Sequence, residues 1–210
     1  MVARAYAQHS NVVRLTFYKT IRGDPWFGSL AGKMYEIHIL LWLQYSQDKT
    51  SWPCIGADST VPQLQLPACS GNLKFFTEFE ELKEIKEPES GCPLCVVPTL
   101  ATFPSFDAFV LTDNAIITLQ IAISDSDGPD ATTQGFQGLH ENLSANLLAK
   151  RSQQCHIFVT DEDNQEQNLA HIPDGISVYS AVIPVEDLES MVPVTEERVA
   201  ALERARVRIY

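Results

Sequence analysis

Asp107 and Gln120 each interrupt an apolar run, in the segments Phe106 to Leu111 and Ala115 to Ile123, whose aromatic and β-branched residues have the composition of strands. Thr112, Asp113 and Asn114 between the runs carry turn chemistry, so the two segments read as a β-hairpin with one polar group on each strand at the same depth. Burying a carboxylate or an amide without a partner costs about 1–3 kcal/mol each. A group bound at Asp107 and Gln120 is therefore expected, unless Asp107 hydrogen-bonds neighbouring backbone N–H groups and Gln120 is satisfied as a core amide.

Five cysteines supply a second candidate chemistry. Cys92 and Cys95 form a CxxC pair, and Cys54 and Cys69 complete a four-thiolate set able to hold a structural Zn²⁺ through bonds of about 2.3 Å. The alternative is reduced cysteines in a long insertion. An odd count without an apolar N-terminal signal disfavours a disulfide scaffold, and no strand-to-helix pattern follows Cys95 closely enough for a redox motif. Cys155, which opens the apolar run to Val159, reads as a small buried hydrophobe. His38 and His156 read as structural. Asn142-Leu-Ser144 matches a glycosylation sequon, which is discounted without a secretory signal.

The elements that must position these groups follow from composition and pattern. With 210 residues and 45% hydrophobic side chains the chain suits one folded domain, its core over about residues 18–160 and a C-terminal extension over 161–210. The longest apolar run, Ile37 to Leu43, is too short to span a bilayer, so a protein inside the cell without membrane contact is expected. Val12 to Tyr18 reads as a strand, and Gly32 to Gln47 as a buried helix bearing Glu36 and His38. The proline-rich stretch 48–71 reads as a variable loop. Lys74 to Leu82 reads either as a strand leading into a short helix or as one amphipathic helix, and Pro88 to Pro98 as an irregular connection.

Beyond the hairpin, residues 125–130 carry cap and turn types. Phe136, Leu139, Leu143 and Leu147 then repeat at helical spacing up to about Lys150. Cys155 to Thr160 and Ile176 to Ile183 read as strands, and Thr195 to Arg206 as a surface helix with an acidic start and a basic end. A strand reached through a crossover helix is usually parallel to its predecessor, so the core is an α/β unit with a mixed central sheet flanked by helices.

That order of helix, strand, hairpin, helix and strand resembles the core of the PD-(D/E)XK restriction-endonuclease-like superfamily. Local motifs resemble one branch, the nuclease-like domain shared by Crinkler effectors and retrotransposon-hot-spot proteins, known mainly from fungi, oomycetes and trypanosomes. Gly32-Lys-Met-Tyr-Glu36 is similar to that branch's Gly-x-hydrophobic-aromatic-Glu helix. Phe76 to Leu82 is similar to its segment before the hairpin, and Pro98 followed by Phe103-Pro-Ser-Phe-Asp-Ala-Phe109 to its proline and Pro-x-hydrophobic-Asp-x-Phe. Leu119-Gln-Ile-Ala-Ile-Ser124 is similar to its Gln-x-Thr-x-Ser strand, and Gly138-Leu139 with Cys155 to Val159 to its following helix and strand.

The resemblance implies a metal-dependent nuclease acting on DNA or RNA. Asp107 would supply a charged oxygen to Mg²⁺ or Mn²⁺, Gln120 an amide oxygen and Ile121 its backbone carbonyl, while Glu36 would hold a water or a second ion. Each residue also has a plain reading, in which Asp107 caps backbone, Gln120 is a core amide and Glu36 pairs with Lys33 or His38. The pattern departs from the superfamily at Ala122, where a lysine usually stands, with Lys33 and Lys150 as candidate substitutes. It departs again at 127–129, where the branch often has a histidine. A net charge of −12 disfavours a surface that tracks phosphate along its whole extent. It suits the alternative, a catalytically inactive fold that serves as an interaction module, with a protein partner or self-association through residues 1–20 and the C-terminal helix.

Overall fold

The computed structural model describes residues 2–24, 26–46, 50–56, 63–99, 105–122, 133–162 and 172–207. The expected turn at 125–130, the position 127–129, Pro104 and Ser124 lie outside the described residues. Three helices come first: α1 Val2–Ala7, α2 Asn11–Arg22 and α3 Gly28–Tyr45. The strands β1 Ser51–Gly56, β2 Leu64–Pro67, β3 Leu73–Phe76 and β4 Leu94–Pro98 follow, and a 3-10 turn at Phe79–Glu84 lies between the last two. The hairpin is β5 Ala108–Leu111 and β6 Ala115–Ile121. The chain continues as α4 Thr133–Asn142, α5 Ala145–Lys150, β7 Gln153–Thr160, β8 Ser177–Val182, α6 Val185–Met191 and α7 Glu196–Val207.

The strands form one mixed sheet in the order β2-β1-β8-β7-β6-β5-β4-β3. β6, β7 and β8 run parallel, β5 is antiparallel to both β4 and β6, and β1 is antiparallel to β8 and β2. The expected crossover is present: β6 and β7 pair in parallel from Ala115 against Gln153 to Ile121 against Val159. Helices cover both faces. Ile117, Leu119, Ile121, Ile157 and Val159 pack in one core with Met34, Tyr35, Leu40 and Leu41 of α3. Phe109, Leu111 and Ile116 pack in a second core with Leu139 of α4, Leu147 of α5 and Leu143 between those helices. Gly138 permits that second packing, because a Cβ there would stand 2.4 Å from the Phe79 ring.

Several elements differ from the sequence reading. Val12 to Tyr18 belongs to helix α2: its buried residues are Arg14, Tyr18 and Ile21, at spacings of four and three, and an arginine at a core position hid that period. The stretch 48–71 contains β1 and β2, whose prolines Pro53 and Pro67 sit in the terminal hairpin of the sheet, where an absent N–H is tolerated. Pro88 to Pro98 contains β4, buried at every position. Lys74 to Leu82 takes the first of its two readings, a strand and then a short helix closed by a Glu78–Glu81 capping box. The helix expected up to Lys150 is broken after Asn142, and the Ser144 hydroxyl restarts it by accepting from the Leu147 N–H at 3.3 Å.

The N-terminal helices are tied to the C-terminal segment by charge. Residues 1–23 contain Arg4, Arg14, Lys19 and Arg22 and no Asp or Glu. Arg4 meets Glu203 of α7, Arg14 and Lys19 meet Glu189 and Glu186 of α6, and Arg22 meets Asp161 and Glu162 after β7. Among the described residues no helix is long and apolar enough to cross a membrane.

Candidate functional site

Because β6, β7 and β8 run parallel, their carboxyl ends share one edge, and β5 starts at that same edge. Ligands of open α/β sheets bind beyond the carboxyl ends of strands. Asp107 stands one residue before the Ala108–Leu119 pair and therefore opposite Gln120, as the sequence reading expects. Its N–H donates to the Leu119 carbonyl at 2.8 Å, and its Oδ2 accepts the Ile121 N–H at 2.6 Å. The carboxylate thus continues the hairpin ladder where the backbone ladder of β5 has ended, a short charge-assisted bond that fixes its direction.

Gln120 is 6% exposed and points away from α3, since Leu119 and Ile121 on either side of it belong to the α3 core. On the same face, two residues back, the Thr118 hydroxyl lies 3.1 Å from the Cys155 carbonyl and 2.9 Å from His156 Nδ1. A hydroxyl has one proton, so donating to the carbonyl makes Nδ1 the donor to Thr118. His156 is fully buried between Phe136 and Phe158, with ring centroids 5.4 and 4.7 Å away. Burial pulls its pKa down to about 4, so it is a neutral, structural histidine at neutral pH. Ser105, buried just before the Asp107 corner, has φ 85° and accepts the Gly135 N–H at 3.0 Å, which joins the entry of β5 to the first turn of α4. A left-handed backbone at a serine is costly, and here a buried hydrogen bond helps to hold it.

The other expected participants are placed less favourably. Glu36 is half-buried on α3, across the sheet from the Gln120 side chain. His38 turns to Tyr6 and Glu189, with Nε2 3.2 Å from the Tyr6 hydroxyl and Nδ1 3.5 Å from a Glu189 oxygen. Lys33 is exposed on α3. Lys150 lies at the opposite edge of the sheet, 3.5 Å from Glu87, so it cannot stand in for the lysine replaced by Ala122.

The cysteines are grouped in a way that sequence spacing does not show. Cys69 and Cys95 are buried with their thiols hydrogen-bonded, and the Cys95 thiol is held well above the usual range by that bond and by burial. Cys54 is buried on β1 near Cys155 and away from Cys69 and Cys95, its thiol pushed up to about 12 by burial, and Cys92 is exposed. The four expected zinc ligands are therefore not gathered into one tetrahedral set. Among the described residues no group of three or more His, Cys, Asp or Glu side chains is placed to hold a metal ion.

Two buried networks went unread in the sequence. Arg14 donates to the His9 carbonyl and to Glu189, and the other Glu189 oxygen accepts the Val194 N–H at 3.3 Å. His38, in contact with this pair, has its pKa lowered to about 3 by burial and by the Arg14 charge. In the second network the Tyr18 hydroxyl donates to Asp161 at 2.5 Å, and Arg22 Nε lies 2.8 Å from the same oxygen. Burial raises the Asp161 pKa in spite of both partners. The all-basic N-terminal stretch was the available signal, although it does not name the partner of each residue. Comparison with models of protein families, with curated proteins and with solved structures finds no match.

Proposed function

We propose that this chain is a divergent nuclease-like domain of the PD-(D/E)XK superfamily, of the branch shared by Crinkler effectors and retrotransposon-hot-spot proteins. In this reading it hydrolyses phosphodiester bonds of DNA or RNA at the Asp107–Gln120 corner. One juxtaposition carries the reading: a carboxylate and an amide face each other at the open end of hairpin β5–β6, inside the order α3, β4, β5, β6, α4, β7, with α3 and α4 on opposite faces. The donors available there, the Asp107 carboxylate, the Gln120 amide oxygen and the Ile121 carbonyl, are all hard oxygens and fit Mg²⁺ or Mn²⁺. When bound, such a cation neutralises developing phosphoryl charge and acidifies an attacking water.

The chain's own part is positional. The Ile121 N–H aims the Asp107 carboxylate, the sheet keeps Gln120 in register with it, and the α4 helix, tied to Ser105, shields the inner end of the corner. Ala122 supplies no cation for the leaving group, so slow turnover is expected. The test is incubation with single- and double-stranded DNA and RNA in Mg²⁺ or Mn²⁺, alongside Asp107→Ala. Near-complete loss of cleavage in the variant supports the reading, and equal cleavage by both proteins overturns it.

Ala122 and the −12 net charge favour a second reading, in which the fold has lost catalysis and serves as an interaction module for a basic protein partner. Salt-sensitive affinity for duplex DNA would count against that reading.

A further inference from the structure

The sheet order puts β2 at one edge and β3 at the other, yet the chain passes from Pro67 to Leu73 through residues 68–72 alone. Eight strands laid flat at a spacing of about 4.8 Å would part those edges by about 34 Å. Fully extended, the link from Pro67 to Leu73 reaches about 20 Å, so the sheet curls until its two ends approach each other. Among the described residues β1 meets β8 through Ile55 and Gly56 alone and gives Ser51 to Cys54 to β2, which lets the β1–β2 hairpin turn over α3. The carboxyl end of α3 lies under the closure: Leu43 is fully buried, and its carbonyl accepts the Cys69 N–H at 2.7 Å.

Cys69 and Cys95 stand on the two sides of this seam. Cys69 follows β2, and Cys95 lies in β4, the strand beside β3. A tight turn brings them together: the Asn72 N–H donates to the Cys69 carbonyl at 2.8 Å, and the Cys95 N–H donates to the Asn72 carbonyl at 3.0 Å. The turn runs through left-handed backbone at Ser70 and Gly71, φ 44° and 88°. Both thiols are buried and reduced, and they are hydrogen-bonded to each other. Cys69 also lines a cavity of about 570 Å³ beside the seam, together with Asn72, Leu94 and the exposed Cys92. A sulfur that touches a second sulfur and borders a cavity is placed for thiol–disulfide exchange.

We propose that Cys69 and Cys95 form a thiol-modification site, at which a small disulfide entering the cavity oxidises them to a disulfide that clasps the two ends of the sheet over α3. The Cys69 thiolate attacks one sulfur of the small disulfide, which forms a mixed disulfide on Cys69 and releases one thiolate. Cys95 gives its proton to that thiolate and attacks the Cys69 sulfur, which releases the second thiolate to take up the proton that Cys69 lost to water. Two protein thiols are oxidised, and the small disulfide is reduced to two thiols. Cys95 is the resolving thiol, because it is fully buried and its proton is held well above the usual range. In the reduced chain hydrogen bonds hold the seam, and the disulfide closes the loop from Cys69 to Cys95 covalently.

The test treats the folded full chain with 2-hydroxyethyl disulfide, alkylates the remaining thiols under denaturing conditions and maps every cysteine by mass spectrometry, with Cys92→Ser and Cys95→Ala alongside. The parent and Cys92→Ser should each give the Cys69–Cys95 peptide pair, with Cys54 and Cys155 alkylated. Cys95→Ala should stop at the mixed disulfide on Cys69, and the parent map decides the matter even where that variant does not fold. The melting temperature of oxidised Cys92→Ser should rise by about 5–10 °C and return on treatment with dithiothreitol. Cys69 and Cys95 recovered as alkylated thiols, either of them paired with a different cysteine, or a Cys69–Cys95 disulfide that leaves the melting temperature unchanged overturns the proposal.

Discussion

The two faces of strands β6 and β7 are built on different chemistry. Toward α3 they present Ile117, Leu119, Ile121, Ile157 and Val159, all aliphatic and all buried. Toward α4 the same strands present Thr118, Gln120 and His156 among Phe158 and Ile116, also buried. Equal burial with unequal chemistry separates two tasks. The aliphatic face stabilises by area removed from water. The polar face exchanges part of that gain for directed hydrogen bonds, from Thr118 to Cys155 and His156 on β7. Polar groups on the α3 side include the arginine–carboxylate pairs by which the N-terminal helices dock, with His38 and Tyr6 beside one of them.

Substitutions should break this contrast in a definite order. The largest effect is expected at the N-terminal closure: Arg14→Ala leaves Glu189 buried without its cation and should cost about 3–5 kcal/mol in urea unfolding. A loss below about 1 kcal/mol would mean that the pair behaves like a surface one. Next, Leu119→Ala on the aliphatic face should cost about 2–5 kcal/mol with little change in any cation binding.

The histidines sharpen the contrast through pH. Burial lowers the folded-state pKa of His156 to about 4 and of His38 to about 3, from 6.5. The unfolded chain therefore takes up protons first as pH falls, and stability present above about 6.5 is lost between there and about 4. Each histidine contributes a slope of up to about 1.4 kcal/mol per pH unit, and the raised pKa of Asp161 works in the opposite sense. His156→Phe should flatten the slope measured by urea unfolding at stepped pH, and an unchanged slope would mean that His156 takes a proton in the native state. The smallest stability effect belongs to Gln120→Leu, which removes a buried amide from its polar surroundings and should cost about 1–3 kcal/mol. Its sharp consequence should be loss of cation binding in a protein that still folds.

The hairpin was legible in the sequence because Thr112-Asp113-Asn114 marks its turn and because the runs on either side of it are rich in aromatic and β-branched residues. Helix α4 was legible from its period, α3 from apolar residues around most of its circumference, α7 from its acidic start and basic end, and β7 and β8 from short apolar runs. Helix α2 was not, since Arg14 occupies a core position and Val12, Val13 and Phe17 face outward, the reverse of an ordinary amphipathic pattern. Strands β1, β2 and β4 were hidden by the prolines and cysteines within them. In the candidate site, the pairing of Asp107 with Gln120 could be read from hairpin register, and so could the option of a backbone bond for Asp107. The placement of Glu36 across the sheet could not, because sequence order does not say which face a helix covers. Arg14 and Glu189, 175 residues apart, meet only through the fold.

The most direct measurement is a Mn²⁺ titration of the full chain, followed by calorimetry and by electron paramagnetic resonance, on the parent, Asp107→Asn and Leu119→Ala. If the Asp107–Gln120 corner is a cation site, the parent and Leu119→Ala should each take up one Mn²⁺ per chain, and Asp107→Asn should lose that site while keeping its fold. Uptake unaffected by Asp107→Asn, or no uptake by the parent, would contradict it and leave Asp107 as a backbone brace of the hairpin.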